Sequence, residues 1–404
     1  MSSILQKSIG SKRGYKKVRK RAVKRVKKER ETRRTSAPEP SALQFLSAFR
    51  GDARRLELPP NSVDCVVTSP PYWRKRDYKI PNQIGWERNP DLYVSEMLVA
   101  LREWRRVLRP TGSVFLNVGD TFHRRSLVDI PGRLMVAAQN DGWIIRNRII
   151  WAKDNGVPDP AKNRLANRHE YIIHLTVTHR YYYDLYGYTE KFGNGANPGD
   201  VWVINPGRNA SNHLAPFPEE IAERILTLAC PTEVCVKCGT PRRRRVRRTN
   251  KLNPDRPQAR RAMEIARERG LSRAHIAAVQ ATGIGDAGKA LHFQTGSGKS
   301  SSDVQRLARE AKEILGGYFR EFTFPLWKSV SWTRCKCRRG FMPGVALDPF
   351  MGTSTTLKVA ERMGRSAIGV DLSRDSLRGF SSLLESVLIK DWLRQWEDKL
   401  LAQS

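Results

Sequence analysis

Acidic residues are scarce in this 404-residue chain, in which 40 Asp and Glu stand against 73 Lys and Arg for a formal net charge of +33. So large a cationic excess goes beyond what solubility requires and indicates a polyanionic partner, most simply nucleic acid. The chain has no run of about 18 apolar residues, so we expect no membrane span. The basic N-terminus has no apolar core of the kind that export signals carry, and we expect a cytoplasmic protein.

Cysteine is also infrequent, with six in the whole chain. Four of them form two tight pairs, Cys235-x-x-Cys238 and Cys335-x-Cys337, which is typical of metal ligands in a reducing compartment and not of a disulfide framework. Together the pairs would supply the four thiolates of a tetrahedral zinc site. The long gap between them leaves free cysteines as the alternative. The pair His169-Glu170 precedes a predicted strand, and we interpret it as a strand-edge contact.

The most informative stretch follows a short apolar run at residues 62–67, which predicts a buried strand. Next come Thr68, Ser69, Pro70, Pro71, Tyr72 and Trp73. Each proline fixes its own φ and holds the preceding residue extended, so the carbonyl groups of Ser69 and Pro70 have fixed directions. Two acceptors beside a flat ring suit a planar amino-bearing group such as a nucleobase. A Pro-Pro turn that only caps a core strand is the alternative.

A second stretch has the pattern of a nucleotide-binding βαβ unit. Residues 345–348 predict a strand, residues 349–356 a turn of small residues and a helix start, and residues 367–371 a second strand that ends in the carboxylate of Asp371. An acid about 20 residues after the glycine turn is placed for ribose hydroxyls. The full G-x-G-x-x-G pattern is absent, which disfavours a dinucleotide. An ordinary βαβ unit is the alternative.

Together the two stretches resemble the amino-group DNA methyltransferases, which methylate N4 of cytosine or N6 of adenine. The form Ser69-Pro70-Pro71-Tyr72 resembles the cytosine-N4 branch, and Asp348-Pro349-Phe350-x-Gly352 resembles the family's S-adenosylmethionine motif. The catalytic motif comes first and the cofactor motif last, as in the family's circularly permuted β group. Ser354 departs from the family, which often has a second glycine there. The resemblance covers about residues 41–230 and 341–385.

The resemblance implies an open α/β, Rossmann-like sheet that binds S-adenosylmethionine across the carboxyl ends of its strands. It implies that Ser69 Oγ and the Pro70 carbonyl accept hydrogen bonds from the target amino group, and that Tyr72 stacks on the base. With Pro71, these form the catalytic set. The implied cofactor residues are Asp348, Pro349, Phe350, Gly352, Thr353, Ser354, Thr355, Asp371, Asp52 and Phe217.

We therefore expect a site-specific DNA methyltransferase that modifies N4 of cytosine in double-stranded DNA, with the target base flipped out of the duplex. Two alternatives stay open: an adenine-N6 enzyme with an unusual serine, and a catalytically silent DNA-binding relative. A restriction endonuclease that acts on the same site is a candidate partner.

Four segments follow from these patterns. Residues 1–40 predict a disordered basic arm, because so charged a stretch cannot bury enough apolar surface to fold alone. Residues 41–230 and 341–404 predict the catalytic and S-adenosylmethionine-binding halves of one domain. Residues 231–340 predict an insertion with the zinc site and an arginine-rich helical module, which we interpret as a DNA-recognition element or, alternatively, as structural decoration.

Overall fold

The computed structural model describes residues 44–155, 160–193, 197–206, 217–249, 251–254, 256–282 and 301–381. The predicted basic arm at residues 1–40 lies outside these ranges, as do residues 382–404 of the predicted cofactor half. Within them, no helix combines the length and the apolar character that a membrane crossing requires.

The strands in the described ranges are β1 (Leu46–Arg50), β2 (Val63–Thr68), β3 (Leu108–Val118), β4 (Phe122–His123), β5 (Ser126–Leu127), β6 (Ile144–Ala152), β7 (His169–Thr176), β8 (Val201–Val203), β9 (Val234–Cys235), β10 (Arg244–Arg248), β11 (Trp327–Trp332), β12 (Phe341–Met342), β13 (Val345–Asp348) and β14 (Ser366–Asp371). The α-helices there are α1 (Pro90–Val107), α2 (Ile130–Asn140), α3 (Leu185–Phe192), α4 (Glu219–Ala229), α5 (Pro257–Glu268), α6 (Arg273–Thr282), α7 (Ser302–Leu315), α8 (Phe319–Phe322), α9 (Thr355–Arg362) and α10 (Arg374–Ser381).

One eight-stranded sheet has the order β1-β14-β13-β2-β3-β7-β6-β8. Neighbouring strands are parallel except that β7 runs antiparallel to both β3 and β6. Helices α1 and α2 pack on one face of this sheet, and α3, α4 and α9 pack on the other. This arrangement confirms the predicted α/β class.

The central strands β2 and β13 are buried along their whole length. Strands covered by helices on both faces are rich in apolar residues, and the middle of β2, residues 65–67, follows this pattern. The two strands pair in register, Ala346 with Cys65 and Leu347 with Val66. The motif that comes last in the chain is therefore a spatial neighbour of the motif that comes first, and both strands end at the same edge.

The amino ends of three strands are joined by one buried carboxylate. Asp64 and Arg109, with side chains 1% and 8% exposed, form an ion pair at 2.6 Å. The same Oδ2 of Asp64 accepts a hydrogen bond from the amide of Val345 at 2.9 Å. Because Asp64, Arg109 and Val345 belong to β2, β3 and β13, this contact fixes the edge of the sheet opposite to the strand ends that carry the two motifs.

The insertion leaves and re-enters the sheet domain at one place, because β9 pairs with β12 through Cys235 and Phe341. Its root lies at the amino edge: a Cβ on Gly239 would be 3.0 Å from Nε of Arg109. Beyond the root, helices α5 to α8 form a small separate core. The sequence predicts a helical module in this segment, but it does not predict the antiparallel ribbon of β10 and β11.

Candidate active site

A cavity of about 580 Å³ opens at the carboxyl edge of the sheet. Its size is in the range of ligand-binding clefts. Both predicted motifs line it. From the catalytic set come Ser69, Pro70 and Tyr72, and from the cofactor set Asp348, Phe350, Gly352, Thr353, Thr355 and Phe217. Five further predicted residues, Pro71, Pro349, Ser354, Asp371 and Asp52, are not in this lining.

Ser69 and Tyr72 belong to a chain of hydrogen bonds that ends on a carboxylate. Ser69 Oγ donates to Tyr72 Oη at 3.2 Å, and Tyr72 Oη donates to Oε2 of Glu170 at 2.5 Å. Burial, with the Glu170 carboxylate next in importance, raises the pKa of Tyr72 well above its usual range, so the phenol stays protonated. Since Ser69 gives its proton to Tyr72, the lone pairs of its Oγ remain available to a donor in the cavity.

Asn117 completes this network from β3. Its Nδ2 lies 2.9 Å from Tyr72 Oη and 3.0 Å from Oε2 of Glu170. The side chain is buried and lines the cavity, yet its Oδ1 has no hydrogen-bond partner among the described residues. A buried acceptor without a donor is costly, so this oxygen is suited to receive an N–H group from a bound ligand.

Glu170 belongs to the same network, although its sequence position does not mark it as a site residue. Lys153, which follows β6, forms an ion pair with its Oε1, and both side chains line the cavity. The sequence shows only an acid at the start of a strand, which by itself indicates no more than a strand-edge contact. Because β7 is antiparallel to its neighbours, its beginning lies at the same edge as the ends of β3 and β6. The sheet order alone brings Glu170 to Tyr72.

Gly119 allows the Tyr72 ring to lie close to the end of β3. A Cβ at this position would be 2.7 Å from Cε2 of Tyr72, closer than two carbon atoms approach without displacement. The ring therefore packs directly on the backbone, with its hydroxyl buried in the network and the residue as a whole only partly buried. A tyrosine held at its hydroxyl end while lining a cavity is suited to stacking on a planar ligand.

Asp348 lies at the end of β13, the strand beside β2, and lines the same cavity as the catalytic motif. Its carboxylate accepts hydrogen bonds from Thr68 Oγ1 and Thr356 Oγ1, both at 2.7 Å, and from the Phe350 amide at 3.2 Å. Burial raises the pKa of Asp348 to about 6 in spite of these donors. A carboxylate of this kind gains from a cation placed beside it.

The turn after Asp348 is held by Asp371. Oδ2 of Asp371 accepts the amide of Gly352 at 2.9 Å, and Oδ1 accepts the amide of Ser373 at 2.8 Å. Gly352 has φ +48° and Ser354 has φ +63°, so both are in the left-handed region that favours glycine. Ser354 therefore keeps the conformation for which glycine is better suited, at some cost in strain.

Asp52 is placed at the end of β1, but its carboxylate is engaged. Arg54 contacts it through Nε at 3.0 Å and Nη2 at 2.6 Å, and the same guanidinium pairs with Glu96 at 2.5 Å. Although burial alone would raise the pKa of Asp52, hydrogen bonds and charge from Arg54 lower it below its ordinary value. Asp52 is thus an ionised acid that already has a cationic partner.

The four predicted metal ligands come together at the root of the insertion. The Sγ atoms of Cys235, Cys238, Cys335 and Cys337 all lie within 4.8 Å of one another. A tetrahedral zinc ion with Zn–S bonds of about 2.3 Å holds its sulfurs about 3.8 Å apart, so the donor set fits such an ion. The cluster and the cavity lie at opposite edges of the sheet, because the root of the insertion is at the amino edge and the cavity at the carboxyl edge.

Comparisons with known proteins give relatives over most of the sheet domain. The profile of a family described as DNA methylase, covering N6 and N4 enzymes, matches residues 63–236 and 341–381. The Type II methyltransferase M.Cfr9I of Citrobacter freundii is 34% identical over 216 residues, which are 45% of this chain and 72% of that protein. M.SmaI of Serratia marcescens, also a Type II methyltransferase, is 35% identical over 224 residues, 47% of this chain and 76% of that protein. A putative DNA modification methylase of Thermus thermophilus, solved in complex with S-adenosyl-L-methionine, is 20% identical with a TM-score of 0.43 and covers 85% of this chain and 98% of its own.

Proposed function

Because the chain belongs to the family of DNA methylases that modify amino groups of bases, we propose that it transfers a methyl group from S-adenosylmethionine to N4 of cytosine in double-stranded DNA. The observation that carries this proposal is the Ser69–Tyr72–Glu170 chain of hydrogen bonds, which lines one cavity together with residues of the turn at 348–355. An amino group on the Ser69 side and a methyl donor on the turn side would meet between them.

The target base must leave the duplex before its amino group reaches this cavity. Once there, it stacks on Tyr72 and donates its two N–H groups to Ser69 Oγ and the Pro70 carbonyl. The unpartnered Oδ1 of Asn117 is a further acceptor at the same end. Hydrogen bonds of this geometry weaken conjugation of the nitrogen lone pair with the ring, and fixed positions supply much of the acceleration. The mechanism requires no covalent bond between enzyme and base.

Methylation leaves the nitrogen with one proton too many, and the hydrogen-bond chain offers a path for it. The amino proton passes to Ser69 Oγ, the Ser69 proton to Tyr72 Oη, and the Tyr72 proton to the carboxylate of Glu170. Each group thus gains one proton and gives one away, except Glu170, which ends as the acid. Lys153 and Asn117 hold that carboxylate in place.

The cofactor residues are those of the β13–α9 turn, with Phe217 at the start of α4. Bound S-adenosylmethionine would supply the electrophilic methyl of its sulfonium. Asp348 provides negative charge for the cationic methionine end, Phe350 and Phe217 provide apolar walls, and Asp371 shapes the turn through Gly352. Asp52 contributes from the end of β1, with its charge balanced by Arg54.

The four cysteines are assigned to a structural zinc ion that holds the two ends of the insertion together. The pairing of β9 with β12 and the mutual distances of the thiols support this assignment. Beyond the root, Arg245, Arg247 and Lys328 are exposed on the β10–β11 ribbon, with Arg247 opposite Lys328 in the pairing. Like charges placed opposite each other destabilise a ribbon, which favours a polyanion as its partner. The insertion thus contributes a DNA contact separate from the cavity.

The choice of cytosine over adenine depends on Ser69 at the first position of the motif. Pro70, Pro71 and Tyr72 would accept the amino group of either cytosine or adenine. An experiment must therefore identify the base. The Type II designation of the relatives supports the expectation of a restriction endonuclease for the same DNA site.

The direct test is to incubate the protein with unmethylated duplex DNA and S-adenosylmethionine, digest the DNA and identify the methylated nucleoside by mass spectrometry. N4-methylcytosine is the expected product, and N6-methyladenine would overturn the base assignment. Ser69→Ala should abolish most of the product while cofactor binding by calorimetry stays intact. Ser95→Ala on α1 is the matched control, since the Ser95 hydroxyl bonds only its own helix.

A further inference from the structure

The hairpin of β4 and β5 has a turn that its sequence does not favour. Arg124 and Arg125 form the two-residue turn with φ +48° and +63°. Turns of this kind prefer asparagine or glycine, because a side chain is strained when φ is positive. Among the described residues, neither guanidinium has an ion-pair or hydrogen-bond partner, and both side chains are exposed. The hairpin turn is therefore strained, and it exposes two guanidinium groups side by side at the tip of the hairpin.

This tip stands beside the catalytic motif. The hairpin follows directly from the end of β3, and Thr121 Oγ1 donates to the carbonyl of Trp73 at 3.0 Å. The ring of His123 packs edge-on against Trp73 with centroids 5.3 Å apart. Since Trp73 is the residue after Tyr72, which lines the cavity, these contacts place the hairpin next to the catalytic motif.

A second exposed segment, residues 160–168, lies against the hairpin. The Arg164 guanidinium lies 3.9 Å from the centroid of the Phe122 ring. The next residue, Leu165, is 92% exposed, the largest exposure of any large hydrophobic side chain in the described ranges. Asn167 and His169, a few residues on, line the cavity. Leu165 is thus an exposed apolar side chain with Arg164 and Arg168 nearby in the chain and Asn167 in the cavity lining. At this exposure it has no packing role in the protein itself.

We propose that Leu165 enters the DNA duplex at the place that the flipped base leaves, while Arg124 and Arg125 hold the phosphates of the strand beside it. Apolar side chains that insert between base steps are a known means of opening a stack, and leucine is one of them. The inference rests on the proposed function, since it assumes that a base is extruded from duplex DNA. The cations at the tip match the charge of the backbone that such a wedge must approach.

The test compares Leu165→Ala with the unaltered protein on three DNA substrates of one sequence. In the first the target base is paired, in the second it is mispaired, and the third is single-stranded. We expect turnover on the paired duplex to fall roughly 10- to 100-fold, because unstacking a paired base is the step the wedge assists. On the other two substrates turnover should stay within about twofold, since less unstacking is required there.

Controls separate this role from damage to the fold. Leu165→Met should retain most turnover, because it keeps an apolar side chain of similar volume, and Val136→Ala on α2 removes another exposed apolar group without effect. An equal loss on all three substrates, or no loss on the paired duplex, overturns the proposal. Absence of methylation by the unaltered protein on every substrate would instead count against the proposed function.

The role of Arg124 and Arg125 is tested by two quantities that should change in opposite directions, thermal stability and DNA affinity. Replacing both Arg124 and Arg125 by glycine relieves the strained turn, so thermal stability should rise or stay level. DNA affinity should fall at the same time, with a weaker dependence on salt, because phosphate contacts are lost. If DNA affinity and its salt dependence do not change, the arginines do not contact the backbone.

Discussion

Tyr72 and Glu170 lie 98 residues apart in the chain, yet the Tyr72 hydroxyl donates directly to the Glu170 carboxylate. The bond joins the end of β2 to the beginning of β7 across β3, and Asn117 of β3 touches both partners. It links the motif that the sequence presents most clearly to an acid that the sequence does not distinguish.

Replacing Glu170 by glutamine should lower kcat about 100-fold, in the usual range for loss of a general base. The amide keeps the volume and a hydrogen-bond acceptor but does not take up the proton. Cofactor affinity should be unchanged, since the change lies on the base side of the cavity. Single-turnover kinetics with calorimetry measures both quantities. Glu190→Gln on the exposed face of α3 is the control, and an unaltered kcat for Glu170→Gln would exclude the proton path.

Cofactor affinity should depend on pH through Asp348. In the free protein burial raises the pKa of Asp348 to about 6, so below that pH the carboxyl is neutral. A cationic cofactor requires the carboxylate, and its affinity should therefore weaken as pH falls through 6 and level off above it. Calorimetry from pH 5 to 8 tests this, and Asp348→Asn should bind weakly at every pH. A flat profile for the unaltered protein would contradict the assignment.

The same titration of Asp348 should change the stability of the unliganded protein in the opposite sense, which provides an internal check. The pKa of Asp348 is about 6 in the folded chain and has its ordinary value of 3.8 in the unfolded chain. Between these values the folded chain binds the proton more tightly. The contribution of Asp348 to the free energy of unfolding is therefore greatest at low pH and is lost as pH rises from about 4 to about 6. Chemical denaturation of the unaltered protein and of Asp348→Asn across this window isolates the contribution.

Removing Arg109 should destabilise the sheet strongly. The change leaves the Asp64 carboxylate buried with only the Val345 amide as a donor, and breaking a buried pair in this way costs about 3 to 5 kcal/mol. Arg133→Ala, which breaks an exposed pair with Asp91, should cost less than about 1 kcal/mol. Urea denaturation of both variants gives the comparison, and similar losses would show that the buried pair has no special role.

The purified protein should contain one zinc ion per chain, measured by elemental mass spectrometry. Cys238→Ser should lose the metal and loosen the root of the insertion, so that proteolysis within residues 231–340 becomes faster. Cys65→Ser is the comparison, because that buried thiol belongs to β2 and not to the cluster. Full zinc content in Cys238→Ser would remove it from the ligand set.

The ribbon cations should affect DNA binding and not catalysis. With Arg245, Arg247 and Lys328 all changed to alanine, the slope of log affinity against log salt should fall by about 2 to 3, which corresponds to three lost phosphate contacts. Turnover at saturating DNA should stay level, because the ribbon belongs to the insertion, whose root is at the edge opposite to the cavity. Arg378→Ala on α10, with an exposed side chain, is the control. An unchanged slope would leave the ribbon without a DNA contact.

The features that depend on local chemistry could be predicted from the order of the residues. A run of β-prone apolar residues followed by Ser69-Pro70-Pro71-Tyr72 specified a buried strand with a rigid exit, because proline limits the backbone wherever it stands. The spacing from the glycine turn to Asp371 indicated the βαβ unit, and two cysteine pairs indicated one metal cluster. The insertion at residues 231–340 was predicted to hold a helical module, and helices α5 to α8 lie there.

Which of these pieces meet depends on the folded chain as a whole. The antiparallel direction of β7 brings Glu170 to Tyr72, and no local pattern encodes a strand direction within a sheet. Arg54 engages Asp52, which the resemblance alone assigns to the cofactor. The root of the insertion lies at the amino edge of the sheet, opposite to the cavity, and its composition does not reveal this position. Pairing between distant strands depends on the packing of the entire core, and no short stretch of sequence contains that packing.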